Sequence, residues 1–150
     1  MRVPHCKIAK MQEPLAVLVV SLPEDKFPDG DETCRAACMH LAGELSNFLE
    51  QQGHMIPSWA RGGCPEDCWV YVESECRGTR YRFAIMYFPR QGDDCSMAIQ
   101  YGLRVGWWKW LFRIKPRLEA NDPIHDLLRA FGERYTGCEM LTQPEFDRLY

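Results

Sequence analysis

The chain has 150 residues, a formal net charge of −3, and 46% hydrophobic and 26% charged residues. This apolar fraction and small net charge exclude a disordered chain, and the scattered 11 Gly and 10 Pro exclude a collagenous or low-complexity one. No apolar run reaches the roughly 18 residues that a membrane-spanning helix requires. The composition therefore indicates one globular domain over residues 1–150. Residues 1–12 carry no periodic pattern and are expected to form a flexible tail.

The cysteines and the N-terminal region bear on the cellular compartment. Eight cysteines in 150 residues would form a disulfide framework in a short secreted chain. The N-terminal region is a poor secretion signal, because its apolar stretch Leu15–Leu22 is short and is followed by Pro-Glu-Asp rather than by small residues suited to cleavage. The sequence therefore favours the cytoplasm, where thiols stay mostly reduced.

The first predicted elements are a strand and a long helix. Leu15–Leu22 is a continuous apolar run between two prolines, which is typical of a strand buried on both faces. A helix is predicted over 32–52, with Gly53 as the residue that ends it. Its apolar positions recur three and four residues apart: Cys34, Ala37, Cys38, Leu41, Leu45, Phe48 and Leu49.

A β-hairpin follows, with Arg77-Gly78 as its two-residue turn between Trp69–Cys76 and Thr79–Phe88. Pairing across this turn places opposite charges together on one face, Glu75 with Arg80 and Glu73 with Arg82. The same register sets Val72 against Phe83 and Val70 against Ile85 on the other face. A slip of one residue would destroy both patterns, so the register is well specified by the sequence.

The remaining elements complete the fold prediction. Alternation over Met97–Leu103 predicts a third antiparallel strand, and Asp122-Pro123 opens a second helix that Gly137 ends. Cys138–Leu141 is a candidate closing strand, and 142–145 has capping-box spacing for a last helical turn. The order β-α-β-β-β-α-β predicts an α+β fold, a two-layer sandwich. Its mostly antiparallel sheet would have about four to five strands, with the two main helices on one face.

Two pairs of cysteines raise the question of metal or thiol chemistry. Cys34 and Cys38 lie on the apolar face of the predicted helix, so core packing is favoured for them. Cys64 and Cys68 lie four residues apart in the loop before the hairpin, with His54 upstream as a third candidate ligand. The usual zinc knuckle is Cys-x-x-Cys, which neither pair has. A zinc site or redox pair built on Cys64, Cys68 and His54 is therefore kept as an alternative, and no other cofactor is expected.

Motifs of catalytic chemistry are absent from the sequence. It contains no Gly-x-Ser-x-Gly elbow, phosphate-binding loop, dinucleotide glycine pattern or His-Glu-x-x-His. His40 and His125 fall on predicted helices, where they are expected to be exposed or boundary residues rather than general bases. The sequence therefore favours a non-catalytic protein over an enzyme.

Residues 104–117 form an unusual segment with five basic residues, no acidic residue and three tryptophans. It would serve as an amphipathic connector whose tryptophans complete the core, or it would lie on an anionic membrane surface. Nucleic-acid binding is disfavoured, because the chain as a whole is acidic. As a partner-binding region, the segment would act through Trp107, Trp108, Lys109 and Arg113.

The open face of the sheet is the other candidate binding surface. Trp69, Tyr71, Met86 and Phe88 form an aromatic patch rimmed by charge, a composition typical of protein-binding surfaces. The sequence therefore predicts a small binding module for another protein, with a second copy of the chain as an alternative partner. Toxin-neutralising immunity proteins and secretion adaptors are similar in size and architecture, which is an analogy and not a motif match.

Overall fold

The computed structural model describes residues 6–8, 15–23, 31–57, 62–64, 69–87, 95–104, 111 and 117–149. The strands in these ranges are β1 (Lys7–Ile8), β2 (Val17–Leu22), β3 (Gly62–Cys64), β4 (Trp69–Cys76), β5 (Thr79–Tyr87), β6 (Cys95–Leu103) and β7 (Thr136–Leu141). The helices are α1 (Asp31–Gln51), α2 (Pro123–Gly132) and α3 (Gln143–Leu149).

The strands form one sheet in the order β1-β7-β2-β6-β5-β4-β3. The short β1 pairs with β7 in parallel, and every other neighbouring pair is antiparallel. Five of the strands are six to nine residues long, and the other two are short additions at the two edges. The α+β prediction with a mostly antiparallel sheet is therefore confirmed.

The main core lies between one face of the sheet and the two longer helices. Helix α1 packs on β4 and β5, and α2 packs on β2 and β7. The apolar positions predicted for α1 are all buried, and so are the predicted inward residues of the hairpin. Each fully buried aliphatic or aromatic side chain stabilises such a core by about 1.5–3 kcal/mol. The largest ones here include Leu18, Leu41, Leu45, Phe83, Ile85 and Phe131.

The hairpin has the register that the sequence predicted. Glu73 pairs with Arg82, and Val72 pairs with Phe83 on the opposite face. Arg77 and Gly78 both have positive φ angles, 51° and 80°. Two consecutive positive φ angles are typical of a type I′ turn, whose twist matches that of the strands it joins.

The second face of the sheet is covered only in part. Val17, Val19 and Ala98 are fully buried there, in an apolar cluster that Phe146 of α3 joins. Strand β2 is consequently buried on both faces, as its continuous apolar run predicted. The part of this face built by β4 and β5 carries side chains that range from exposed, such as Arg80 and Arg82, to buried, such as Glu73. We call these outward side chains the ribbon face: Trp69, Tyr71, Glu73, Glu75, Arg80, Arg82, Ala84 and Met86.

Helix α2 is shorter than predicted, because it ends at Gly132 rather than near Gly137. A Cβ atom at Gly132 would lie 2.5 Å from Sγ of Cys138 and 2.8 Å from Cδ1 of Leu18, so the backbone approaches the sheet closely here. The chain then turns so that residues 136–141 pair with β2. The predicted cap of the last helix is confirmed, since Oγ1 of Thr142 accepts a hydrogen bond from the backbone N–H three residues later, at 3.1 Å.

The cysteines differ from the expectation of mostly reduced thiols. Cys6 forms a disulfide with Cys138 across 132 residues of sequence, and Cys34 is also disulfide-bonded. Cys6 therefore belongs to the fold, although it lies in the segment 1–12 that was expected to be a flexible tail. Cys38 packs in the core as predicted, and burial raises the pKa of its thiol to about 11, which makes it a poor nucleophile.

Candidate binding surface

An aromatic stack lies at the end of the ribbon face away from the hairpin turn. Trp69 and Tyr71 are two residues apart on β4, so strand geometry places both side chains on the same face. Their ring centroids are 6.1 Å apart and the rings are nearly parallel, at 21°. The guanidinium carbon of Arg82, on β5, lies 4.3 Å from the centroid of the Tyr71 ring, within the range of a cation–π interaction. Trp69, at the outer end of the stack, is 37% exposed.

A buried glutamate lies beside this stack. Glu73 was expected to be an exposed partner of Arg82, but only 7% of its surface is exposed. Its Oε1 atom is 3.8 Å from Nε of Arg82, and its Oε2 atom is 3.1 Å from Nη1 of Arg104. The contact with Arg104 lacks hydrogen-bond geometry, so Oε2 receives no directed hydrogen bond. Two guanidinium groups therefore balance one buried carboxylate.

A small pocket of about 30 Å³ opens at the turn end of the ribbon face. A space of this size holds a water molecule or the end of one side chain. The backbone of Met55 forms a β-bridge with Glu75 near this end of β4. Both signs of charge line the pocket, whose residues are Pro57, Glu73, Ser74, Glu75, Arg80 and Arg104.

The predicted partner-binding residues have different outcomes. Trp69 and Tyr71 lie together as described, whereas Met86 is half-buried against the apolar cluster around Val17 and Ala98. The other predicted residues fall outside the described part of the chain: Phe88, Trp107, Trp108, Lys109 and Arg113. No helix in the described ranges is long and apolar enough to cross a membrane.

A buried polar cluster lies on the opposite side of the hairpin, in the main core. Nδ1 of His54 is 3.0 Å from Oγ of Ser74, and the imidazole ring packs 5.8 Å from the ring of Tyr81. The hydroxyl of Tyr81 donates to Oδ1 of Asp122 at 2.9 Å, and the same oxygen accepts the N–H of Ile124 to cap α2. The cluster thus joins the end of α1 to the start of α2.

His125 extends this polar cluster, contrary to the expectation that it would be exposed or at a boundary. It is only 4% exposed, and its Nε2 atom is 2.8 Å from the carbonyl oxygen of Glu119. Because a carbonyl oxygen only accepts, Nε2 carries a proton. In the neutral ring, Nδ1 therefore accepts the hydroxyl proton of Tyr101, at 2.8 Å. These contacts hold the start of α2 against β6.

The candidate zinc or thiol site of Cys64, Cys68 and His54 lies only in part within the described residues. His54 is only 6% exposed, and its Nδ1 atom is in hydrogen-bond contact with Oγ of Ser74. The side chain of Cys64 and the whole of Cys68 lie outside the described residues. Within the described part of the chain, no group of three His, Cys, Asp or Glu residues could hold a metal ion.

The buried state of His54 predicts a pH dependence of stability. Burial lowers the pKa of His54 below its usual 6.5, and the negative charge of Asp122 opposes this only in part. The imidazole of His54 therefore binds a proton less readily in the folded state than in the unfolded state. The free energy of unfolding should consequently decrease as the pH falls below about 6.5, and this decrease should end once the pH is below the pKa of His54 in the folded state. Urea unfolding of wild type and His54→Gln between neutral and mildly acidic pH measures this contribution, and the variant should show the weaker acid dependence. The same pH dependence of unfolding free energy in wild type and His54→Gln would contradict this prediction. The control is His40→Gln, at an exposed histidine, which should keep the acid dependence of wild type.

Sequence reasoning missed the polar cluster and the role of Arg104. A signal for the cluster existed, because Ser74 and Tyr81 occupy facing inward positions of the predicted hairpin register. Nothing local indicated that Arg104, beyond the end of β6, would reach Glu73.

The chain matches no protein-family model, and comparisons with curated proteins and with solved structures also gave no match.

Proposed function

We propose that this chain is a non-catalytic protein-binding module whose contact surface is the ribbon face. The observation that carries the proposal is the stack of Trp69, Tyr71 and Arg82 on its outer side. Trp, Tyr and Arg are the residue types that most often supply the binding energy of protein interfaces. A ring that is half-exposed and already stacked loses little further side-chain freedom when a partner covers it.

The position of the stack on the sheet supports the proposal. Strand β4 is paired with β5 along its whole length, and β3 pairs with its outer edge beside Trp69 and Tyr71. Backbone hydrogen bonds on both sides hold the stack in place before any partner arrives. Such preorganisation raises affinity, because the cost of ordering the surface is met during folding.

The cysteines bear on the compartment in which such a module works. The sequence favoured the cytoplasm, but Cys6, Cys34 and Cys138 are in disulfides. Disulfides persist in oxidising compartments and are rare in the cytosol. We therefore favour an oxidising compartment over the cytoplasm for this protein.

The double substitution Trp69→Ala/Tyr71→Ala tests the proposal. We expect it to weaken partner binding by about a hundredfold, the loss typical of a pair of interface hot spots. Thermal stability should fall by only a few degrees, because neither side chain belongs to the buried core. The measurement is affinity capture from native lysate with mass spectrometry, followed by titration of the recovered protein.

A matched control comes from exposed apolar residues elsewhere on the molecule. Met39 and Leu149 are 51% and 52% exposed, on α1 and α3, and Met39→Ala/Leu149→Ala should bind like wild type. Unchanged binding by the Trp69/Tyr71 variant would refute the proposal. If that double variant unfolds, the single change Trp69→Ser removes the exposed ring alone and gives the same readout.

A further inference from the structure

The charges that the ribbon face presents to solvent are mainly positive. In the pair Arg80–Glu75 the arginine side chain is 60% exposed and the glutamate 32%. In the pair Arg82–Glu73 the corresponding values are 52% and 10%. In each pair the arginine side chain is thus the more exposed partner. An approaching partner therefore meets arginine side chains first.

Two more arginines extend this basic surface. Arg77 is exposed at the hairpin turn, and Arg104 lies across the buried Glu73. Together with Arg80 and Arg82 they bring the described residues at this end of the hairpin to four arginines and two glutamates. The whole chain, in contrast, has a formal net charge of −3. The described residues at this end of the hairpin are therefore opposite in sign to the chain as a whole.

We infer that the partner of the ribbon face is an acidic protein segment that places carboxylates against Arg80 and Arg82 and an apolar side chain against Trp69. This inference rests on the proposed function, because it names the partner of the same surface. Complementary charge of this kind speeds encounter and selects among partners. Guanidinium groups suit the role, because they bind carboxylates through two parallel hydrogen bonds.

The arrangement favours spaced carboxylates over the phosphates of a nucleic acid. Arg80 and Arg82 lie on β5, each opposite a glutamate of β4, so a continuous line of phosphates bound at the arginines would also lie next to Glu73 and Glu75. A protein segment can direct its acidic side chains to the guanidinium groups alone.

The experiment selects ligands from a random peptide library displayed on phage, with the full-length oxidised chain as bait. Enriched peptides should contain more Asp and Glu than Lys and Arg. Synthetic copies of these peptides are then titrated against Arg80→Gln/Arg82→Gln. We expect this variant to bind about tenfold more weakly at low salt and to show a flatter salt dependence. The control Arg35→Gln/Arg148→Gln, which removes two exposed arginines elsewhere, should bind like wild type.

Each result separates this inference from the proposed function. Enrichment of neutral or basic peptides that still need Trp69 and Tyr71 would overturn the acidic partner and leave the binding surface standing. If no peptide is selected, or if the selected peptides bind Trp69→Ala/Tyr71→Ala as tightly as wild type, both the binding surface and the acidic partner are overturned. Tighter binding of a single-stranded oligonucleotide than of any selected peptide would also overturn the inference. If loss of Arg82 unfolds the domain, Arg80→Gln alone tests the same charge.

Discussion

Replacing Cys6 and Cys138 together by serine should lower the free energy of unfolding by about 4–5 kcal/mol. The bond closes a loop of 132 residues, so it removes a large share of the conformational freedom of the unfolded chain. For a domain of this size the melting temperature should fall by about 10–15 °C. Urea and thermal unfolding of the variant and of the oxidised wild type measure the difference.

A control and a direct chemical test accompany this prediction. Cys76 is half-buried and outside any disulfide, so Cys76→Ser should leave stability nearly unchanged. Digestion of the wild-type protein without reductant should yield a peptide pair joined through Cys6 and Cys138. Two results together would refute both the bond and the oxidising compartment. Cys6 and Cys138 would be recovered as free thiols from the native source, and the serine variant would be as stable as wild type.

The substitution Arg104→Ala should cost about 2–3 kcal/mol of folding stability. Glu73 is 7% exposed, and its nearer cationic neighbour is Arg104, at 3.1 Å. Removing that guanidinium leaves a buried carboxylate with only Arg82, whose Nε atom is 3.8 Å away. The loss stays below that of a fully isolated buried charge because Arg82 remains. Equilibrium unfolding in urea measures it.

The neighbouring ion pair is the matched control for this charge effect. Arg80 and Glu75 are 3.5 Å apart but solvent-exposed, so Arg80→Ala should change stability by less than about 1 kcal/mol. Combining Arg104→Ala with Glu73→Met removes the uncompensated charge and should restore most of the stability. A double variant no more stable than Arg104→Ala alone would show that the buried charge is not the cause.

Part of the candidate surface was predictable because its causes are local. A strand repeats every two residues, so Trp69, Tyr71 and Glu73 had to share a face once β4 was recognised. The turn at Arg77-Gly78 then determined that Arg82 would be opposite Glu73. The pairing of charges and the alternation of apolar residues agreed on one register. The ribbon face therefore follows from the hairpin sequence alone.

The burial of these residues was not predictable, because it depends on distant parts of the chain. Glu73 is shielded by Arg104, which enters from the end of β6. The apolar run of β2 predicted that its second face is covered, but not that Phe146 of α3 contributes to the cover. Neither contact leaves a periodic signal in the sequence, since each joins residues that only the folding of the whole sheet brings together.

By itself, the sequence determined the five longer strands, the positions of the helices, the hairpin register and the two-layer arrangement, because hydrophobic periodicity and turn chemistry act over a few residues. Only the tertiary structure decided that Cys6 bonds to Cys138 and that His54 contacts Ser74. It also decided that Trp69 remains exposed while Met86 does not. The physical reason is that disulfides, buried polar contacts and surface exposure depend on which distant segments become neighbours in space.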